Sequence, residues 1–277
     1  MACFHLTALS RRETKLFHDH HEANALWRIL LRTVPDPVAV CLMPDHVHLM
    51  HALDVSSRLR DVMSAYARWR NHAWGTSGPV WYPLEPAERV KRGKKLQRSV
   101  RYVHLNPCRK RRPLVPDPLA WPWSTHGDAV GLSPAPVVPP ARDVRSFHRY
   151  VSSDPSVHVE GTDLPVTPQP GRHGFELGDL AEAYCALFRQ PWPVLTRKGA
   201  HRARFLALAR LACERPQRDL AAFCRVSRTR VSKVEPVHQP WMSLVLRVTA
   251  DPRFRSVDAH DRAIAAYTPW TDRNKVD

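Results

Sequence analysis

Two histidines one residue apart, His46 and His48, stand in "CLMPDHVHLMHAL" directly after an apolar run and a Pro-Asp turn. Sixty residues on, "RSVRYVHLNPCRK" places Tyr102 and Asn106 four apart. In an extended chain alternate side chains share a face, so His46, His48 and Met50 point one way while Val47 and Leu49 point the other. On a helix, residues four apart stand one above the other. Two imidazoles on one strand face plus an amide oxygen make a mixed nitrogen and oxygen donor set of the kind that suits divalent ions from Mg and Mn to Zn. A tyrosine hydroxyl one helical turn from the third donor would face a phosphate held at that ion. With a pKa near ~10 the phenol is a poor nucleophile at neutral pH, so it needs a metal-polarised phosphate and cationic neighbours such as Arg98 or Arg101. These parts compose a phosphoryl-transfer site with a tyrosine nucleophile.

Spacing alone does not establish such a site. With 16 histidines in 277 residues, chance supplies about one HxH, and a second one does occur, in "HDHH" at 18 to 21. Tyr102 and Asn106, taken alone, read as an amphipathic core tyrosine and a helix-end residue before proline. The elements that carry the residues therefore matter. "ACFHLTALS" alternates as a strand does, "EANALWRILLRTV" has helical spacing, and "VAVCLM" is a β-branched run of strand length. The Pro44-Asp45 turn joins it to the alternating "HVHLMHAL", which predicts an antiparallel pair. "SRLRDVMSAYARWRNHAW" has a helical stripe of Leu59, Val62, Met63, Tyr66 and Trp69, "GPVWYPL" reads as a further short strand, and the basic stretch from Arg89 becomes a helix with Leu96, Val100 and Val103 buried. The order strand, helix, strand, strand, helix, strand, helix predicts an α+β fold with an antiparallel, ferredoxin-like sheet covered by helices. His18, His20 and His21, with no such company, read as exposed histidines at a helix start.

Forty-two Lys and Arg against 26 Asp and Glu give a net charge of +16, which favours a polyanionic partner. The excess is clustered. Eleven basic and no acidic residues lie between Arg89 and Arg112, and eleven against two between Arg197 and Lys233. Two islands imply two nucleic-acid contacts. Arg98, Arg101, Arg109 and Lys110 are the phosphate-contact candidates in the first. Six cysteines form no CxxC pair, so neither a zinc ribbon nor a disulfide framework is expected. With no signal peptide and no membrane span evident, the reading is a cytoplasmic, nucleoid-associated protein.

From Gly131 to about Pro170 eight prolines frame one short amphipathic piece around "DVRSFHRYV", a linker composition with a small helix in it. Three segments result: 1–132, 133–175 and an all-α region over 176–277. Within the last, "RDLAAFCRVSRTRVSKV" looks like a helix-turn-helix, with Leu220, Ala221, Cys224, Val226, Val231 and Val234 at its apolar positions. Ser227 would cap a second helix bearing Arg228, Thr229, Arg230 and Lys233, which would face double-stranded DNA. Arg225 stands where the turn commonly has glycine. A helical hairpin with an incidental basic face is the alternative.

The first segment resembles the single-tyrosine HUH transposases, especially the REP-associated tyrosine transposases. "LMPDHVHLM" is similar to the family's "MPNHVHLL", with Asp45 where Asn is usual. "VRYVHLNPCRKRRPLV" is similar to "RYIxxNPVRAGLV", and "WPWSTHGDAVG" to the closing "WPWSSYxxxxG". The resemblance covers roughly residues 2 to 132, with three motifs in order. It departs after "GPVW", where "YPLEPAERVK" replaces "xGRYxS", and in the first strand, which lacks "YHVxxRG". It implies an HUH domain with His46, His48 and Asn106 as ligands of Mg2+ or Mn2+ and Tyr102 as nucleophile. The implied activity is cleavage and rejoining of single-stranded or hairpin repeat DNA through a 5′-phosphotyrosine. The protein would act as monomer or homodimer, away from membranes. A domesticated DNA-binding protein or repressor that no longer cuts is the alternative, and a nuclease that uses water a third.

Overall fold

The structure is a computed structural model that describes residues 3–11, 14–109, 113–133, 136–154, 157, 175–235 and 237–254. These form two compact units. Those that fall between 3 and 131 and between 136 and 157 belong to the first, and 132–133 with those between 175 and 254 to the second.

The first unit is α+β. Its elements are β1 (Cys3–Leu9), α1 (His20–Thr33), β2 (Ala39–Met43), β3 (His46–His51), α2 (Ser56–Ala73), β4 (Glu88–Val90), α3 (Lys94–Leu105), α4 (His126–Ala129) and α5 (Val144–Ser152). The four strands form one antiparallel sheet in the order β2-β3-β1-β4. β2 and β3 are neighbours, β3 lies between β1 and β2, and β1 lies between β3 and β4, as in a split β-α-β sheet. Strand alternation divides the side chains between two cores. Leu6, Ala8, Val40, Leu42, Val47 and Leu49 face α1 and α2, where Leu26, Trp27, Leu30, Leu59, Val62, Tyr66 and Trp69 close over them. Cys3, Cys41, Met43 and Met50 face the opposite way and meet Val103 of α3.

Local chemistry sets the boundaries. Asp19 caps α1 by accepting from the Glu22 N–H at 2.9 Å, so "HDHH" is spent starting a helix. Helix α3 ends at Leu105 and tightens into one 3-10 turn, Asn106–Cys108, because Pro107 has no N–H to continue it. The fourth strand is not the expected "GPVWYPL". That segment contributes only an isolated bridge between Trp81 and Ser10, and the paired strand is Glu88–Val90, opposite Cys3–His5. Pro83 and Pro86 remove ladder donors from the intervening stretch, which explains the shift. Helix α3 accordingly starts at Lys94 rather than Arg89.

The "WPWS" segment protects the sheet edge. β2 is an edge strand, and its Leu42 N–H donates to Trp123 O (2.8 Å) while Thr125 N–H donates to Val40 O (3.0 Å). Trp121 Nε1 donates to Leu42 O at 2.8 Å, and Trp123 is fully buried. An edge so covered cannot recruit a foreign strand. The short helix expected in the proline-rich stretch is α5, and it packs in the first unit, with Val151 against Leu105 and Cys108.

The second unit is helical: α6 (Leu177–Phe188), α7 (Ala200–Ala212), α8 (Gln217–Cys224), α9 (Arg228–Ser232) and α10 (Pro240–Ala250) around one apolar cluster. Leu220, Ala221, Cys224 and Val231 are buried in it, and Val226 and Val234 pack against it. The Ser227 hydroxyl accepts from the Arg230 N–H at 3.2 Å. Arg225 ends α8 with φ 51°, a left-handed conformation that glycine would adopt without strain. From α7, Arg210 donates to the carbonyls of Val231, Ser232 and Val234, satisfying the end of α9. All six cysteines are free and buried. No helix among the described residues is long and apolar enough to cross a membrane.

Candidate active site

The candidate site lies on the sheet face toward α3. In the β1–β3 register His48 sits opposite Thr7, and His46 opposite Leu9. Directly opposed residues of an antiparallel pair share a face, so the two histidines of β3 and the alternate residues His5, Thr7 and Leu9 of β1 line one surface. They open onto a pocket of about 1130 Å³ whose wall includes Arg98, Arg101, Tyr102 and Arg109.

His48 is 4% exposed. Its Nδ1 lies 3.1 Å from both His5 Nε2 and Thr7 Oγ1, while its Nε2 is buried with no hydrogen-bond partner. Burial, with His46 and His5 adding to it, pushes its pKa down to about 2, so the ring is neutral at physiological pH. If Nδ1–H donates to Thr7 or His5, the lone pair stays on Nε2, the tautomer a metal ligand requires. A buried ring nitrogen left without a partner is costly and rare in a satisfied core.

His46 makes a second such mismatch. Its Nδ1 lies 2.7 Å from Asp45 Oδ1, and its Nε2 3.2 Å from Asn106 Oδ1. Both neighbours are acceptors, and a neutral imidazole has one N–H. With the amide oriented in this way, one of the two contacts sets lone pair against lone pair. A positive charge at Nε2, from a proton or a metal ion, relieves it. An unsatisfied Nε2, an imidazole facing an amide oxygen and a divalent cation fit one another, since imidazole and carbonyl oxygen are compatible ligands for such ions. Among the described residues no group of three or more His, Cys, Asp or Glu has ligand spacing. The donor set here is two imidazoles and one amide.

Tyr102 is 38% exposed, on a helix whose buried residues are Val103, His104 and Leu105. Its ring centroid is 5.3 Å from that of His48 and 6.3 Å from that of His5. The Arg109 guanidinium lies over its face, with Cζ 4.8 Å from the ring centroid, a cation–π contact. Asn106, buried at 6%, is held by the 3-10 turn, where its carbonyl accepts from the Arg109 N–H at 3.2 Å.

Tyr102, His46, His48 and Asn106, named from sequence, are thus brought together, and Arg98, Arg101 and Arg109 line the same pocket. Lys110 lies outside the described residues. Arg228, Thr229, Arg230 and Lys233 belong to the other unit, exposed on and just after α9. His5, Thr7 and Asp154 were missed by sequence reasoning. The alternation of "CFHLTAL" puts His5 and Thr7 on one face, a usable signal once β1 is paired with β3. Asp154 carries no such signal, since it sits in a proline-rich stretch.

No protein-family model and no curated protein matches the chain. Among solved structures it is similar to a REP-associated tyrosine transposase bound to a REP hairpin, at 22% identity over 47% of this chain and 80% of that one, with a TM-score of 0.37. The relationship is remote.

Proposed function

We propose that the first unit is a metal-dependent DNA strand transferase of the single-tyrosine HUH kind, a transposase in its chemistry. The observation that carries the reading is the buried, partnerless Nε2 of His48 beside the exposed ring of Tyr102. His46, His48 and Asn106 would hold a divalent ion, Mg2+ or Mn2+. An ion held there would supply polarisation of a phosphate and neutralise the charge that builds on it.

The chain's own residues supply the rest. Tyr102 presents its Oη to the phosphorus, and Arg109 over the ring steadies the phenolate as the proton leaves to water. The Oη–P bond forms as the P–O3′ bond breaks, and the departing oxygen takes a proton from water to become a 3′ hydroxyl. The 5′ phosphate stays on Tyr102, so attack by another 3′ hydroxyl reverses the sequence and joins a new strand. Arg98 and Arg101 extend the cationic wall to neighbouring phosphates. Single-stranded or hairpin DNA is the proposed substrate, and the exposed Arg228, Thr229, Arg230 and Lys233 around α9 a proposed double-stranded contact.

The test is incubation with a labelled single-stranded hairpin oligonucleotide from the flanks of the gene, with Mg2+ or Mn2+, followed by a denaturing gel. A covalent adduct that disappears in Tyr102→Phe is expected. DNA cut without an adduct, or equally by Tyr102→Phe, would mean a water nucleophile. Binding without cutting would mean a DNA-binding protein only.

A further inference from the structure

We infer that Asp154 is a positioning residue that sets Arg101 and Arg109 as a two-guanidinium cradle for a DNA phosphate beside Tyr102. The inference rests on the proposed reading of this pocket. Asp154 follows α5, outside every motif of the sequence, yet it lines the pocket. Its Oδ2 lies 3.2 Å from Arg101 Nε and 2.9 Å from Arg109 Nη2. One carboxylate oxygen thus anchors both cations.

Burial decides what that anchoring does. The Asp154 side chain is 7% exposed, against 20% for Arg101 and 28% for Arg109. The carboxylate lies beneath the guanidiniums, so it does not occupy the place a phosphate arriving from solvent would take. The two arginines outnumber it and keep a net positive charge on the pocket side. Each is further fixed in its plane. The Arg101 Cζ stacks 4.6 Å over Tyr150 and its Nη1 donates to Tyr150 O at 3.5 Å. Arg109 stacks 4.8 Å over Tyr102. Arg109 Nε is buried and makes no hydrogen bond, so the pocket side of this guanidinium is left to its Nη groups. Guanidiniums held in fixed planes present their remaining N–H donors to phosphate oxygens and lose little freedom on binding. Without Asp154 the two cations repel and their side chains regain rotamer freedom.

The sign of the effect tests the idea. In a protein of net charge +16, Asp154→Asn removes a negative charge, and long-range attraction alone would tighten DNA binding. The cradle predicts the reverse. The experiment measures anisotropy of a fluorescein-labelled single-stranded oligonucleotide across a salt series, in EDTA so that no cleavage intervenes. Asp154→Asn is expected to bind about 5- to 10-fold more weakly, with a log–log salt slope shallower by ~0.7, one phosphate contact. Asp154→Glu is expected to recover most of that loss. Should Asp154→Asn not fold, Arg109→Lys serves: it keeps the charge but not the fork, and the same weakening is expected. Binding unchanged or tighter in Asp154→Asn, or unchanged in Arg109→Lys, overturns the inference, as does weaker binding with an unaltered slope, which marks a structural role. The readout needs no chemistry, so a chain that forms no adduct yet shows these shifts loses the transferase reading and keeps the cradle.

Discussion

Helix α3 packs beside two groups of imidazoles, one partly buried and one fully buried, that look alike until their nitrogens are counted. One comprises His5, His46 and His48, with Tyr102 from α3 and Asn106 from the turn that follows it. The other comprises His104 of α3, His126 of α4 and His148 of α5, all 1% exposed or less. In the second group every contact has a matching partner. His104 Nε2 meets Thr125 Oγ1 at 3.1 Å, His104 Nδ1 meets His126 Nδ1 at 3.3 Å, and His126 Nε2 meets His148 Nδ1 at 3.0 Å, with Ser152 Oγ 3.5 Å from His148 Nε2. One run of neutral tautomers satisfies the line. The Thr125 hydroxyl donates to Val40 O, His104 donates to Thr125, His126 to His104, His148 to His126 and Ser152 to His148. The first group has no such solution, because His48 Nε2 faces nothing whatever tautomer the ring adopts. Burial lowers imidazole pKa in both groups, to about 2 for His48 and about 3 for His104. Perturbed acidity therefore does not tell a site from a brace. Unmet hydrogen-bonding capacity does.

If that distinction holds, substitutions in the two groups should have opposite signatures. His48→Ala should cut adduct formation by at least ~10³-fold, the scale of losing a metal-polarised phosphate, while costing less unfolding free energy than His126→Ala, because it forfeits the Nδ1 contacts to His5 and Thr7 but its Nε2 had no partner to lose. Gel assays and urea denaturation of the same preparation decide it. His126→Ala should do the reverse. It leaves His104 Nδ1 and His148 Nδ1 facing a cavity and should cost about 2–4 kcal/mol, with adduct yield per folded molecule within a few-fold of wild type. Loss of chemistry in His126→Ala at unchanged stability would place the second group in the active site.

A smaller effect probes how the first group is held. Thr7→Val removes one of two partners of His48 Nδ1, and outer-shell groups of this kind typically contribute 10- to 100-fold to metal affinity. With His5 still in place, a loss of about 10-fold in Mn2+ affinity is expected by calorimetry, at near-constant melting temperature. An unchanged affinity would mean that His5 alone orients the ring.

Much of this was legible in the chain. Alternation in "HVHLMHAL" and the i, i+4 pair on the basic helix put His46, His48, Tyr102 and Asn106 on the correct faces, because strand and helix periodicity are local properties. His5 and Thr7 needed the register of β1 against β3, a non-local fact that no window of sequence holds. The fourth strand was displaced because "GPVWYPL" has strand-like residue types, whereas its prolines and the pairing partner decide. The buried brace was invisible: His126 and His148 read as ordinary polar residues until tertiary packing threads them behind α3.

That brace also predicts a pH dependence. Burial, with His104 and His148 as neighbours, holds His126 well below the ordinary imidazole value. In the unfolded chain it titrates near ~6.5. Above that pH neither state carries the proton and stability is full. Below it the unfolded chain takes up a proton the folded chain refuses, so stability falls with falling pH, at up to about 1.4 kcal/mol per unit for each such histidine. Carboxylates with lowered values, Asp54 and Asp143 among them, push the same way as they protonate at lower pH, so the total slope is not diagnostic. The difference between proteins is. His126→Gln keeps a donor and an acceptor but cannot titrate, and between pH 6.5 and 5 its unfolding free energy should fall less steeply than wild type by about one histidine's share. Parallel slopes for the two proteins would mean that His126 accepts its proton in place, and that the imidazole line bends rather than resists.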